Sequence, residues 1–327
     1  MEQPCVRVER ERGERTRRRL AELELIDEFR EITVEDGSIY IPVTDPSSVP
    51  EELDTVEYAT PRRNPQTMPD DLVEFDASYE RLGDVVIIDE DDPDRGRRLA
   101  EAIVESDLNA ATVLDRASKI SGELRVRDWN VLAGERTETV HREYGCEFLL
   151  DPTEVYFSPR LATERRRVTD GIEAGEHVFD MFAGVGPFVI PAAKREATVV
   201  GVDKNERAIA YLLENARRNG VEELVTAIHG DVRDVADDYT GWADRIVMNL
   251  PHSADEFLDV AMVVAGEVCR LHYYDIQHED DPFGPGERAI EAAASPEYDL
   301  TVENRQRVRS YGPHELNVCL DVVLERR

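Results

Sequence analysis

The sequence predicts an α/β protein, a doubly wound parallel sheet with a C-terminal β-hairpin, preceded by two small α+β domains. Three observations predict it. From Ser158 onward, apolar β segments alternate with helical ones. A glycine-bearing turn, Ala183-Gly184-Val185-Gly186, follows the first of those strands. Three prolines within Thr60 to Pro69 set off the residues before them.

The elements follow in chain order. Glu14 to Glu24 reads as a short helix, and Glu31 to Val43 as two strands around the turn Glu35-Asp36-Gly37-Ser38, giving a small domain over residues 1–60. The proline-rich stretch 61–72 reads as a linker. A middle α+β domain, 73–157, is expected from a strand at Asp84 to Ile88 and a helix at Asp94 to Glu105. Further strands are expected near Ala111 to Leu114, Leu124 to Asp128, Glu138 to Arg142 and Cys146 to Leu150. Residues 158–327 carry the parallel sheet, with strands at Val178 to Met181, Thr198 to Val202, Val225 to His229, Arg245 to Asn249 and Leu271 to Tyr274. Leu300 to Arg309 and Glu315 to Glu325 make the closing hairpin.

With 327 residues, 41% of them hydrophobic, the chain can bury a sizeable core. No stretch approaches the roughly 18 apolar residues of a membrane span, and the arginine-rich start lacks the apolar core of a secretory signal. The expected location is the cytoplasm, with no membrane partner. Cys5, Cys146, Cys269 and Cys319 lie far apart without a C-x-x-C pair, so they read as buried reduced thiols rather than metal ligands. The net charge of −32 would ordinarily oppose nucleic acid. Lysine, however, occurs only at positions 119, 194 and 204, and acids are spread along the whole chain, the pattern of a protein adapted to near-molar salt. At ~1 M the screening length is about 3 Å, so local basic islands matter more than the total. Three stand out: Arg7 to Arg19, Arg160 with Arg165 to Arg167, and Arg305 to Arg309. Each could equally be a solvated face.

The chemistry is expected at the glycine turn. The strand His177-Val178-Phe179-Asp180 runs into it, and Gly184 and Gly186 permit close backbone approach to a ligand before a helix starting near Pro187. The second strand ends at Asp203, about 20 residues on, where a carboxylate can accept the ribose hydroxyls of an adenosine. The third glycine of the dinucleotide fingerprint is missing. The next strands end in Asp231 and in Asn249-Leu250-Pro251-His252. Ligands of open α/β sheets sit beyond the carboxyl ends of the strands, so Asp180, Asp203, Asp231 and Asn249 should converge on one crevice. Any one of them alone could be a helix cap.

The cradle resembles a class I (Rossmann-like) S-adenosylmethionine-dependent methyltransferase. Further motifs are similar to the archaeal and eukaryotic tRNA (guanine-37-N1)-methyltransferase family. They are Arg12-Gly13-Glu14-Arg15-Thr16-Arg17-Arg18, Gly122-Glu123-Leu124-Arg125-Val126-Arg127, Tyr156-Phe157-Ser158-Pro159-Arg160-Leu161 with Glu164-Arg165, Asn249-Leu250-Pro251 and Ser310-Tyr311-Gly312-Pro313. This resemblance implies S-adenosyl-L-methionine as cofactor, no metal and a tRNA carrying guanosine 37 as partner; the composition adds a halophilic archaeon as the expected source, and a monomer is expected. By motif match it makes Glu164 the general base and Arg125 the partner of O6, with Asn249 and Pro251 holding the flipped guanine and Tyr156 lining the pocket. Arg165, Asp180, Phe182, Ala183, Gly184, Val185, Gly186, Asp203, Lys204, Asp231, Val232 and Asn249 would hold the cofactor. The small first domain would dock the tRNA.

Guanine N1 carries a proton, so methylation there needs a base and a cation to receive charge at O6. Enzymes methylating exocyclic amines carry an asparagine-proline-proline-aromatic run, which Asn249-Leu250-Pro251-His252 lacks. His252 reads as a variable position. Glu164 could instead be an ordinary helix residue paired with Arg167 or Arg160, and Arg125 a strand-surface residue. The competing functions are methylation of another RNA position or of a wyosine-type intermediate, a non-catalytic RNA-binding protein, and an NAD-dependent oxidoreductase.

Overall fold

The computed structural model describes residues 2–63, 66–117, 127–295 and 297–327. Two compact units divide the chain, Met1–Leu72 and Val73–Arg327.

In the first unit, β1 (Gln3–Glu9), α1 (Gly13–Glu22), β2 (Thr33–Glu35), β3 (Ser38–Pro42) and β4 (Asp54–Tyr58) form an antiparallel sheet of order β2-β3-β1-β4 with one helix against it. Leu20 of α1 is buried among Val6, Leu25, Ile41 and Val43. Gly13 lets the helix approach the sheet, since a Cβ there would sit 2.2 Å from Ile39 Cδ1. Much of the basic island is internally neutralised: Arg7 pairs with Asp54, Arg17 and Arg18 with Glu14, and Arg19 with Glu52. Strands β1 and β4 were not expected from sequence, because charged residues interrupt their apolar positions.

The second unit opens with β5 (Tyr79–Leu82), β6 (Val85–Ile88), α2 (Pro93–Glu105), β7 (Thr112–Arg116) and β8 (Trp129–Ala133), a mixed sheet of order β5-β6-β7-β8 in which β6 and β7 run parallel. Helix α2 starts where the Asp92 side chain accepts the Asp94 N–H at 2.9 Å and Pro93 presets the first turn. Of the strand expected at Leu124 to Asp128, Leu124 to Val126 lie outside the described residues, and Arg127 and Asp128 belong to no strand. A hairpin follows, β9 (Thr139–Glu143) and β10 (Cys146–Leu150).

Then come α3 (Ala162–Asp170), β11 (His177–Asp180), α4 (Val189–Ala193), β12 (Thr198–Asp203), α5 (Glu206–Arg218), β13 (Val225–His229), α6 (Val232–Val235), β14 (Ala243–Met248), α7 (Leu258–Val264), β15 (Ala265–His278), α8 (Gly284–Ala294), β16 (Tyr298–Gly312) and β17 (Glu315–Arg326). They build a seven-stranded sheet of order β13-β12-β11-β14-β15-β17-β16. Its first five strands are parallel; β17 inserts antiparallel between β15 and β16. Chain order reverses between β11 and β14, which places the ligand crevice beyond their carboxyl ends.

Asn215 of α5, wholly buried, accepts the Leu149 N–H at 2.7 Å and donates to the Leu149 and Val185 carbonyls at 3.1 and 3.0 Å. Asn219, one turn on, bridges both backbone groups of Glu147. These amides fasten the β9–β10 hairpin and the glycine turn to one helix. Phe148, Leu150, Val178, Val189 and Leu82 accordingly share one core. All four cysteines are buried and free. Among the described residues, no helix is long and apolar enough to cross a membrane.

Candidate active site

A cavity of about 440 Å³ opens at the switch point. One wall is the turn after β11, with Met181, Phe182, Ala183 and Gly184; Asp203, Lys204, Asp231 and Val232 form the floor. Tyr156, Phe157, Ser158, Leu161 and Arg165 close one side, and Asn249, Leu250 and His252 another. Four residues of the Tyr156 to Leu161 run, Tyr156, Phe157, Ser158 and Leu161, therefore face the cofactor cradle, whereas Arg160 pairs with Glu80 at 3.2 Å.

The glycine turn is held by Asp203, whose Oδ2 accepts the Gly184 N–H at 2.7 Å and Oδ1 the Asn205 N–H at 2.8 Å. Burial pushes its carboxyl up, and those two donors offset part of the shift. Each oxygen keeps a second lone pair for a ribose hydroxyl. Gly184, at φ +53°, faces open space. Gly186, at φ +90°, does not: a Cβ would lie 2.4 Å from Leu212 Cδ1, so only glycine lets the turn pack on α5.

Asp180 lies behind this wall, 1% exposed. Its Oδ1 accepts the Phe182 N–H at 3.2 Å, and Oδ2 finds no partner among the described residues. Burial pushes the carboxyl up to about 7, helped by the nearby Asp203. Val185 and Gly186 likewise support the turn from behind. At the opposite end, Asp231 caps α6, pairs with Lys204 at 2.8 Å and takes a bidentate contact from Arg233. The Arg233 hydrogen bond, then Lys204, hold it well below the usual carboxylate range. Arg233 also stacks over Phe257 at 4.9 Å, and Phe257 meets Phe182 edge to face at 5.1 Å. The open glycine cradle at Gly184 and the cavity-lining carboxylates of Asp203 and Asp231 fit the amino-acid and adenosine parts of S-adenosylmethionine.

The proposed catalytic residues are divided by the structure. Tyr156 and Asn249 line the cavity. Pro251 does not; it is buried, and its carbonyl accepts the Ile276 N–H at 3.1 Å, fixing the loop that carries Asn249 to β15. Arg125 lies outside the described residues. Glu164, 7% exposed, turns away from the cavity wall: its carboxylate accepts Arg167 Nη2 at 2.8 Å, Arg167 Nε at 2.9 Å and the Tyr274 hydroxyl at 2.9 Å. The alternative pairing with Arg167 is thus the one adopted.

That pair begins a buried chain. Arg167 also donates to both oxygens of Asp321, and His272 Nδ1 bonds Asp321 at 2.6 Å. His272 Nε2 lies 2.8 Å from Arg245 Nη1, and Arg245, 2% exposed, pairs with Glu176 at 2.6 Å. Because a guanidinium only donates, Nε2 accepts and the proton sits on Nδ1. Burial depresses the imidazole, Asp321 opposing, and His272 is neutral.

Sequence reasoning missed Tyr311 as a site residue. It lines the cavity and its hydroxyl meets His252 Nε2 at 2.8 Å, so the hairpin tip joins the strand-end loop. The signal was the Ser310-Tyr311-Gly312-Pro313 motif, which carried no assigned role. Asn215 was missed too, although a polar residue on the apolar face of a helix could have marked it.

Comparison with known proteins agrees with this geometry. The family model described as TRM5/TYW2 methyltransferase domain matches residues 139–302, the tRNA methyltransferase 5 N-terminal domain matches 5–51, and the TYW2 N-terminal domain matches 65–137. The tRNA (guanine(37)-N(1))-methyltransferase Trm5b of Pyrococcus abyssi is 39% identical over 327 aligned residues, covering 97% of this chain and 98% of the relative. The tRNA(Phe) (4-demethylwyosine(37)-C(7)) aminocarboxypropyltransferase of Methanocaldococcus jannaschii is 32% identical, over 76% of this chain and 98% of its own. A solved complex of aTrm5 with tRNALeu superposes with a TM-score of 0.73 at 30% identity, covering 98% of this chain and 99% of that one. The chain belongs to the TRM5/TYW2 family of S-adenosylmethionine-dependent methyltransferases and, within it, to the Trm5 tRNA methyltransferases.

Proposed function

We propose that this enzyme methylates N1 of guanosine 37, the nucleotide 3′ of the anticodon in tRNA. The observation that carries the reading is the end-to-end match to a guanine-37-N1 methyltransferase, the first unit included, whereas the aminocarboxypropyltransferase covers only 76% of this chain. Tyr156, Leu250 and Asn249 line the same cavity as the cradle, which places them to receive a flipped base beside the cofactor. Bound S-adenosylmethionine supplies the electrophilic methyl. Arg125 is assigned to O6, where negative charge gathers as the N1 proton leaves. Glu164 is assigned as the base, and to reach N1 its carboxylate must exchange the Arg167 and Tyr274 contacts for the guanine. Asn249 is assigned to orient the guanine edge. The 1–60 domain is assigned to tRNA docking, and the acting form is a monomer.

Incubating the protein with labelled S-adenosylmethionine and a tRNA transcript, then digesting to nucleosides for mass spectrometry, is expected to give 1-methylguanosine only when position 37 is guanosine. Product at an exocyclic amine, an aminocarboxypropyl adduct, or undiminished transfer to a guanosine-to-adenosine transcript would overturn the assignment.

We also infer adaptation to near-molar salt, from the net charge of −32 and the scarcity of lysine. Repulsion between like charges is screened to about 3 Å at ~1 M and reaches about 10 Å at 0.1 M. The melting temperature followed by circular dichroism should therefore climb with KCl, with structure lost well below ~1 M. A stability independent of salt would contradict this.

A further inference from the structure

A second cavity, of about 460 Å³, lies on the far side of Arg165 from the cofactor site. Arg165 lines both cavities, and its guanidinium is spent on Glu143 and the Ser158 carbonyl. The cations around this second space are Arg165, Arg166, Lys194 and Arg195; the carboxylates are Glu143 and Asp170. Four positive groups against two negative ones is the reverse of a chain with 71 acids and 39 bases. One of only three lysines in the sequence stands here, and Lys194 pairs with no carboxylate among the described residues, its ammonium donating to the Gly145 carbonyl at 2.6 Å.

Arg166 and Arg195 both lean on one acid, Asp170. Arg166 also stacks on Tyr144 at 4.7 Å, a ring 54% exposed at the hairpin tip. Exposed arginine, lysine and an aromatic ring around a concave surface are the groups that grip a nucleic-acid backbone. At high salt long-range steering is screened, so an RNA-binding surface on so acidic a chain has to consist of direct contacts like these.

We propose that the Arg166, Lys194 and Arg195 surface binds phosphodiesters of the tRNA strand flanking the target nucleotide, while the base itself occupies the cofactor cavity. This rests on the tRNA reading above. The three side chains act as anchors for substrate and take no part in the chemistry.

The test is steady-state methylation of a tRNA transcript by Lys194→Glu and by the double variant Arg166→Ala/Arg195→Ala, each over a series of KCl concentrations. The KM for tRNA should rise about tenfold or more, with kcat at saturating tRNA and S-adenosylmethionine affinity by calorimetry unchanged. The slope of log KM against log salt should flatten by about 0.7 to 0.9 for each phosphate contact removed. A wild-type KM and slope in both variants overturns the proposal. Should the double variant fail to bind S-adenosylmethionine, Lys194→Glu alone decides. If the unmodified enzyme methylates no tRNA, the functional reading falls, and tRNA binding by fluorescence anisotropy across the same variants still decides this inference.

Discussion

Glu164→Gln is expected to lower kcat for methyl transfer by about 10²- to 10⁴-fold, the range for losing a general base, while S-adenosylmethionine affinity stays within about twofold. The separation follows from geometry. Glu164 is absent from the cofactor wall, and its oxygens face Arg167 and Tyr274, so the substitution leaves the cradle around Gly184 and Asp203 intact. Glutamine keeps the shape and can still accept the Tyr274 hydroxyl. What it loses is the capacity to take a proton, the role proposed for Glu164. Rapid-quench kinetics on a tRNA transcript, with calorimetric titration of the cofactor alongside, measures both quantities. A glutamine variant with full methyl transfer would leave Glu164 as a purely structural member of the buried chain.

Asp321→Ala should cost about 3–5 kcal/mol of stability, the usual result of removing one partner from a buried ion pair. Asp321 is 5% exposed and joins four side chains: Arg167, His272, Asn304 and, more distantly, Cys319. Without it the buried His272 Nδ1–H loses its acceptor, and Arg167 keeps only Glu164 as a counter-charge. Burial opposes ionisation of Asp321, yet the hydrogen bonds from His272 and Arg167 outweigh it and hold the carboxyl far below its ordinary value. A depressed folded-state value means its contribution is complete above about pH 4 and drains away as pH falls below that. Urea midpoints at several pH values are the measurement. The variant should be markedly weaker near neutrality and less sensitive to acid than the parent; equal midpoints at pH 7 would mean that solvent or a neighbour replaces Asp321.

How far the sequence could be read depended on what fixes each element. The inner parallel strands were legible because they are largely buried on both faces, leaving short apolar runs that lead into an acid or amide: β11, β12 and β14 lie within two residues of the expected bounds. The edge strands of the small mixed sheet were not. Strand β5 has the sequence Tyr-Glu-Arg-Leu, and β8 leaves Asn130, Val131 and Leu132 exposed, so neither shows a clean alternation. Of the site, the residues contributed by strand ends and the glycine turn were legible, because one local pattern places them all. The direction of Glu164 was not, since it is set by Arg167 together with an aspartate 154 positions away. Arg245 reads as any strand residue until Glu176 and His272 close around it.

The burial of the four cysteines has a consequence for how the molecule would announce its own opening. Cys5 sits in the first sheet, Cys146 in the hairpin, Cys269 on β15 and Cys319 on β17. Burial raises every one of these thiols, Cys5 to about 11 and Cys269 to about 12, so near neutrality the reactive thiolate is scarce and sheltered. Each sulfur becomes available to an alkylating reagent only when its own neighbourhood comes apart. The chain therefore carries four silent clocks, one timing the first unit and three timing different layers of the second.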